Sequence, residues 1–353
     1  MMEKTTNIPG ELNMNKSLVL VTGGNGFLAS HIIKQLLTAG YPVRATLRSL
    51  DKAAGVKQTL AGTPNLDRLT FVALDLTQDQ GWTEAMRDVT YVMSVAAPVF
   101  VNQGQASDEV TSAAVKVGTI RVLKAATAAG VKRVVMTANL GAVGFSRLDH
   151  DHPVTEADWT REDQPGLSLY EKSKLVAEEA GWAYCKAHAD SPEFTTVNAG
   201  AMLGPSLNGH VTGSYNLVSR ILTGQMMPNL KVNVIDVRDV ADLEVRAMTA
   251  PAAANQRFLA VAATPISMRA LKTLIQEQRP QLAAGLTKHL IPDWFVRGLA
   301  PFSGQLRESS LMIRINYEVS TQKAQQLLGW QARSADTAVL AAVDTLVKND
   351  LNK

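Results

Sequence analysis

One short stretch constrains the fold of this chain more than any other. The β-rich run Leu18 to Thr22 passes straight into Gly23-Gly24-Asn25-Gly26-Phe27-Leu28-Ala29, and from Phe27 to Thr38 apolar residues recur at helical spacing. Phe27, Leu28, Ile32, Ile33, Leu36 and Leu37 give that helix one apolar face, which belongs to a core. A strand that turns so sharply into a helix needs glycine at the turn, and Gly23 stands there. Gly26 lets a ligand come close to the backbone, while the small Ala29 lets the helix pack tightly.

The alternation continues along the chain. β-rich runs at Val43 to Leu47, Thr70 to Leu74, Tyr91 to Val95, Arg133 to Thr137 and Thr195 to Ala199 are separated by helix-period stretches at Thr83 to Arg87, Asp108 to Ala129 and Ser168 to His188. This predicts an α/β fold, a doubly wound parallel sheet of Rossmann type with helices on both faces. After about residue 200 glycine and proline cluster up to Gly213. A helix around Tyr215 to Thr223, a short strand around Val232 to Val237, another near Arg257 to Ala262, and two or three further helices follow. The expected organisation is a loose tail over 1–16 and a nucleotide-binding domain over 17–199, with returning strands around 230–262. Residues 200–353 are expected to build mainly a smaller C-terminal substrate-binding lobe over the carboxyl ends of the strands.

Composition narrows the function classes. The 353 residues are 46% hydrophobic and 19% charged, with a net charge of +3, so no strong field argues for nucleic acid or an anionic membrane. No run approaches the roughly 18 apolar residues of a membrane span, and Met1 to Lys16 has no apolar core of signal-peptide type. A cytoplasmic protein acting on a small molecule is expected, and a homodimer is compatible with it. The single cysteine, Cys185, excludes an internal disulfide and a multi-cysteine metal site. Asp149-His150-Asp151-His152 has ligand chemistry but no partner cluster elsewhere, and reads as a solvated loop rather than a metal site. His31 reads as a packed or capping polar residue.

The glycine loop opens a helix whose first N–H groups and partial positive charge suit phosphates, so Thr22, Gly23, Asn25, Gly26, Phe27 and Leu28 are expected to line a dinucleotide pyrophosphate. The second strand should end beside the adenosine ribose. An acidic residue there would bind the 2′-hydroxyl of NAD, whereas this chain has Arg48, with Lys52 four residues on, which suit a 2′-phosphate. NADPH is therefore the expected cofactor, with NADH the alternative. Asp75 and Leu76 should meet the adenine edge, and Val95-Ala96-Ala97 offers small residues along which the cofactor can pass.

Tyr170 and Lys174 complete the pattern. At i and i+4 they share one face of a helix, so the ammonium can sit under the phenol and, with an oxidised nicotinamide, favour the phenolate. A tyrosine tuned in this way is a proton donor for hydride transfer to a carbonyl. Phe100, Phe145, Met202 and Tyr215 fall in segments expected to border the nicotinamide end, with Phe100, Phe145 and Tyr215 as candidate substrate walls.

Taken in order and spacing, the glycine loop, Arg48, Asp75-Leu76, the small run before Pro98 and Tyr170-x-x-x-Lys174 resemble the extended short-chain dehydrogenase/reductases. The chain looks most like their branch of dihydroflavonol, cinnamoyl-CoA and methylglyoxal/isovaleraldehyde reductases. Val131-Lys132-Arg133-Val134-Val135, Thr155-Glu156-Ala157-Asp158-Trp159, Asp236-Val237-Arg238-Asp239-Val240-Ala241 and Leu328-Gly329-Trp330 extend the resemblance over residues 17 to 347. It implies NADPH-dependent reduction of aldehydes or ketones, with Tyr170 as proton donor and Lys174 as its activator and ribose ligand. It also implies cofactor contacts at Thr137, Ala199, Gly200 and Met202. Two departures stand out. Where that family has Thr-Ser-Ser, this chain has Thr137-Ala138-Asn139, which puts Asn139 in the place of the serine that hydrogen-bonds the substrate oxygen. An asparagine amide can donate to such an oxygen, and Thr137 is the rival donor. Asn198-Ala199-Gly200 replaces the usual Asn-Pro-Gly. The alternatives carried beside the reductase are an NAD-dependent nucleotide-sugar epimerase or dehydratase and a non-catalytic cofactor-sensing protein.

Overall fold

The structure, a computed structural model, describes residues 17–96 and 108–351. Its strands are β1 (Leu18–Val21), β2 (Val43–Leu47), β3 (Leu69–Ala73), β4 (Val89–Ser94), β5 (Arg133–Asn139) and β6 (Glu193–Ala199), then the short β7 (Ala201–Leu203), β8 (Met227–Pro228), β9 (Lys231–Val232) and β10 (Val234–Asp236), followed by β11 (Arg257–Ala260), β12 (Ile266–Ser267) and β13 (Leu290–Ile291). The helices are α1 (Phe27–Thr38), α2 (Ala53–Thr59), α3 (Trp82–Met86), α4 (Asp108–Ala128), α5 (Gly141–Gly144), α6 (Leu169–Ala187), α7 (Tyr215–Leu222), α8 (Val237–Thr249), α9 (Met268–Gln278), α10 (Asp293–Leu299), α11 (Gly304–Met312), α12 (Gln322–Leu328) and α13 (Ala335–Leu351).

Seven of the strands form one parallel sheet in the order β11-β6-β5-β4-β1-β2-β3. Chain order reverses at β1, so a crevice opens at the carboxyl ends of β1 and β4, where doubly wound folds bind their ligands. Period-two alternation sorts each strand between two cores. Val19 and Val21 of β1 face the layer that contains α1, α8 and α13, while Leu20 faces the layer of α4 and α6. Val135 and Val197 join the first, Val134 and Phe194 the second. Each fully buried Leu, Ile or Phe here stabilises the fold by about 1.5 to 3 kcal/mol.

Buried polar residues fasten the later elements to this sheet. Arg133, 1% exposed, donates to the carbonyls of Ala247, Met248 and Ala250 at the end of α8 and pairs with Glu193 at 2.6 Å. Asp236 caps α8 by accepting the Arg238 N–H at 2.9 Å. The carbonyl of Asp239 accepts the Trp330 indole N–H at 2.9 Å, and its carboxylate takes the Arg333 backbone and guanidinium. The segments 236–241 and 328–330 therefore anchor α8 and the C-terminal helices.

Two readings beyond residue 200 need correction. The run Val232 to Val237 is two strands, and it stops at Asp236 because that side chain starts a helix that the sequence reading lacked. Among the described residues five helices, three of them of seven to nine residues, follow residue 262 instead of two or three. Such short helices carry few periodic positions. No helix among the described residues is long and apolar enough to cross a membrane.

Candidate active site

The crevice between β1 and β4 is built by contacts that exclude side chains. Gly23 has φ +66°, and a Cβ there would stand 2.7 Å from the Cβ of Ala96 at the end of β4. Thr22 ties the two strand ends together: it is fully buried, and its hydroxyl oxygen accepts the N–H groups of Val95 and Ala96 at 2.9 and 3.0 Å. Gly23 N–H in turn donates to the Thr46 hydroxyl at 3.0 Å. Gly26 precedes α1 with no side-chain cap and no acidic residue in the first turn, so the helix presents bare N–H groups to the crevice. The Phe27 and Leu28 side chains are buried in the core, which leaves only their backbone for a ligand. The Asn25 carbonyl is already engaged, accepting from Asn208 at 3.0 Å. His31 lies behind the loop, buried against the Pro205 carbonyl at 2.9 Å, and burial lowers its pKa.

At the end of β2, Arg48 and Lys52 are exposed, and their side chains make no hydrogen bond or ion pair among the described residues. Asp75 is held in a turn, its Oδ1 accepting the Thr77 N–H and hydroxyl at 2.9 and 2.8 Å. Those bonds, with smaller help from Arg48 and Arg121, pull its pKa below the usual carboxylate range. Leu76 is buried.

Asn139, Tyr170 and Lys174 come together beside this crevice. Asn139 ends β5, and its side-chain Oδ1 accepts the Gly141 N–H at 2.6 Å. The Asn139 side chain also lies beside Tyr170, close enough to pull the phenol pKa down. Tyr170 stands in the first turn of α6, a helix started by Ser168, whose Oγ accepts the Glu171 N–H at 3.3 Å. Lys174 lies one turn on, its Nζ 5.8 Å from the Tyr170 ring centroid. It lines a small cavity with Leu76, Ser94, Ala96, Met136 and Thr137. No hydrogen bond or ion pair reaches its ammonium among the described residues, and burial lowers its pKa to about 8.

The phenol departs from the expected tuning. Tyr170 is 58% exposed, yet desolvation and the neighbouring Glu171 carboxylate raise its pKa, and the Asn139 amide only partly opposes them. The lowering expected from Lys174 together with an oxidised nicotinamide is not produced by Lys174 alone, whose Nζ lies 5.8 Å from the ring centroid. Tyr170 is thus fully protonated at neutral pH, the form a proton donor needs.

Other expected site residues are placed elsewhere. Tyr215 is 2% exposed, stands edge-on to Phe27 at 5.6 Å and gives its hydroxyl to the Gly204 carbonyl, so it is core and not a substrate wall. The Thr137 hydroxyl donates to Glu244 at 2.7 Å, which removes it as a rival donor to a substrate oxygen. Ala199 is buried, and Gly200 is packed so that a Cβ would come within 2.4 Å of the Asn233 carbonyl. Met202 and Phe145 are half-buried, Met202 against the main core. Asp149 to His152 are exposed. Ala97 and Phe100 lie outside the described residues.

Two residues at the site, Gly141 and Glu178, carry no signal of their own in the sequence. A Cβ on Gly141 would meet the Glu171 Cγ at 2.6 Å and the Asn139 Oδ1 at 2.7 Å, so this glycine is what lets α6 approach the end of β5. Glu178, on the Tyr170 face of α6, is fully buried and bonded to Asn198, Thr196 and Arg257. The one available signal was the continuation of Tyr170 and Lys174 to i+8.

Known proteins resemble this chain in sequence and fold. A family model described as "NAD dependent epimerase/dehydratase family" matches residues 19–261. An oxidoreductase of Schizosaccharomyces pombe is 33% identical over 265 residues, which cover 70% of this chain and 78% of that protein. Ketoreductase azaE of Aspergillus niger is 28% identical over 351 residues, covering 94% and 97%. The crystal structure of Gre2 from Candida albicans in complex with NADPH superposes with a TM-score of 0.76 at 24% identity, covering 94% of this chain and 99% of that one, and so shares its fold.

Proposed function

The chain belongs to the NAD dependent epimerase/dehydratase family, the extended short-chain dehydrogenases/reductases, and from that footing we propose that it is an NADPH-dependent reductase of aldehydes or ketones. The observation that carries the reading is the convergence on one spot of a protonated Tyr170, the Asn139 amide and the Lys174 ammonium, which no described residue pairs, at the strand ends beside a glycine-lined crevice. These residues fit the cofactor. The uncapped start of α1 would take the pyrophosphate, Arg48 and Lys52 the 2′-phosphate, and Lys174 the ribose hydroxyls of the nicotinamide half. NADPH, when bound, supplies the hydride.

The protein's own groups handle the substrate oxygen. Asn139 donates an amide N–H to the carbonyl, polarising it and stabilising the negative charge that grows on it. Tyr170 gives that oxygen its hydroxyl proton, and an alcohol leaves. Lys174 keeps its charge below pH about 8 and so supports the phenolate left on Tyr170 at neutral pH. The Candida albicans relative was solved with NADPH, which supports the same choice of cofactor here. The test is to follow the absorbance of NADPH and of NADH against a panel of aldehydes, ketones and flavanonols. Consumption of NADPH with formation of the alcohol is expected. Release of no alcohol from any carbonyl compound, with the cofactor bound but unchanged, would favour a cofactor-sensing role.

A further inference from the structure

Tyr170, Lys174 and Glu178 mark three successive turns of one face of α6, the first and last roughly 12 Å apart along the axis. Glu178 is fully buried, and its carboxylate is bonded on both oxygens. Oε1 accepts the Arg257 Nε–H at 2.8 Å and the Thr196 hydroxyl at 2.9 Å, while Oε2 accepts the Asn198 Nδ2–H at 2.6 Å. Arg257 is itself clamped, over the Trp159 ring at 3.6 Å and onto the carbonyls of Glu156 and Asp158 at 2.8 and 2.9 Å.

Asn198 provides the link to the site. The same Nδ2 that meets Glu178 also donates to the backbone carbonyl of Asn139 at 3.2 Å, and its Oδ1 accepts the Thr196 hydroxyl at 3.2 Å. Asn139 is therefore held at both ends, its carbonyl by Asn198 and its side-chain oxygen by Gly141. The contacts run from Glu178 on α6 across to Asn198 and on to Asn139, whose side chain lies beside Tyr170 at the start of the same helix and so completes a circuit.

We propose that Glu178 and Asn198 are positioning residues for the reaction proposed above, setting the register of α6 against β5 and β6 so that Tyr170 and Asn139 meet on one substrate oxygen. This deepens that reading and rests on it. In the lower half of α6, Glu178 is a buried carboxylate bonded to β6 and to Arg257 of β11, a fixed point against sliding of the helix. A shift of the order of 1 Å at reacting groups costs about a hundredfold in rate.

The donor and acceptor pattern supplies the test. In Glu178→Gln the one amide oxygen cannot serve both donors: kept on Arg257, it turns its NH2 to Asn198, which must turn over and take its N–H from the Asn139 carbonyl; given to Asn198, it sets an N–H against the Arg257 guanidinium and loosens the same end of α6. Asn198→Asp sets two carboxylates against each other and leaves that carbonyl without a donor. The double variant Glu178→Gln/Asn198→Asp restores both the net charge beside Arg257 and the bond from helix to strand, but the carboxylate it places on β6 has no N–H for Asn139. We expect each single variant to lower kcat at least tenfold with NADPH affinity, read by fluorescence, within about twofold of wild type. The double variant should regain thermal stability without regaining kcat. Wild-type kcat in the single variants, or kcat that returns together with stability in the double, overturns the proposal and leaves the circuit as fold support only. Should Glu178→Gln not fold, Asn198→Ser carries the same test with the Glu178 and Arg257 pair intact, and wild-type kcat there again overturns it. Tyr170→Phe measured alongside separates the premises: full activity in that variant removes the proton donor and both readings, whereas an inactive Tyr170→Phe beside unimpaired Glu178 and Asn198 variants removes the positioning role alone.

Discussion

Asn139 and Gly141 fix each other: the Asn139 Oδ1 accepts the Gly141 N–H at 2.6 Å, and a Cβ built on Gly141 would stand 2.7 Å from that same oxygen. The bond orients the amide, and the missing side chain makes room for it. Gly141→Ala should therefore push either the amide or Glu171 out of place. We expect kcat/KM to fall at least tenfold while NADPH binding, read by nicotinamide fluorescence, stays near wild type. Unchanged kcat/KM would mean that the amide orientation has no part in turnover.

Removing the amide tests its role directly. Asn139→Ala should lose about 2.7 to 4 kcal/mol of transition-state stabilisation, the loss typical of a single oxyanion donor. Asn139→Ser should keep much of the activity, because a hydroxyl can donate to the same oxygen. Steady-state rates on one good aldehyde decide the matter, and an alanine variant as fast as wild type would show the oxygen to be held by another group.

Cofactor choice is expected to depend on Arg48. This exposed guanidinium makes no hydrogen bond or ion pair among the described residues and stands near Asp75 at the end of the second strand. Arg48→Ala should raise KM for NADPH much more than KM for NADH. Equal changes in the two constants would reduce Arg48 to a surface charge.

Glu244 gives a pH-dependent stability prediction. It is fully buried, one oxygen takes the Thr137 hydroxyl, the other has no partner among the described residues, and burial raises its pKa to about 8. The unfolded carboxyl titrates near about 4.3. Between these values the native state holds a proton that the unfolded state has released, so stability falls as pH rises from about 4.3 toward 8. Below that window the group contributes no such penalty. Glu244→Gln should remove this slope, and at pH 8 it should be more stable than wild type by on the order of 1 to a few kcal/mol. Denaturant melts at pH 5 and pH 8 measure it; a parallel pH dependence in both proteins would contradict the assignment.

What the sequence made legible follows from which patterns are local. The first six strands of the main sheet and the helices α1, α4 and α6 stood out because periods of two and 3.6 residues persist over several turns. Tyr170 and Lys174 were visible because their spacing lies within one helix. Glu178 was not, since adjacent Glu178 and Glu179 differ in nothing local, and only the fold shows that the first is buried against Arg257 while the second is exposed. Gly141 looks like any glycine after a strand until α6 is seen against it. Tyr215 misled for a related reason: an aromatic residue after a glycine-rich loop gives no hint that Phe27, far earlier in the chain, will enclose it. The α8 segment Val237–Thr249 is dense in charge, and its start is decided by the Asp236 cap.

The central claim is that Tyr170 protonates the oxygen of a carbonyl substrate. The most direct measurement compares Tyr170→Phe with wild type in single-turnover reduction of one good aldehyde, with NADPH binding followed in parallel by fluorescence. We predict a loss of about 10²- to 10⁴-fold in rate with NADPH affinity nearly unchanged, since the phenol acts on the substrate and Lys174 remains to hold the cofactor. Reduction by the phenylalanine variant at close to the wild-type rate would contradict the account.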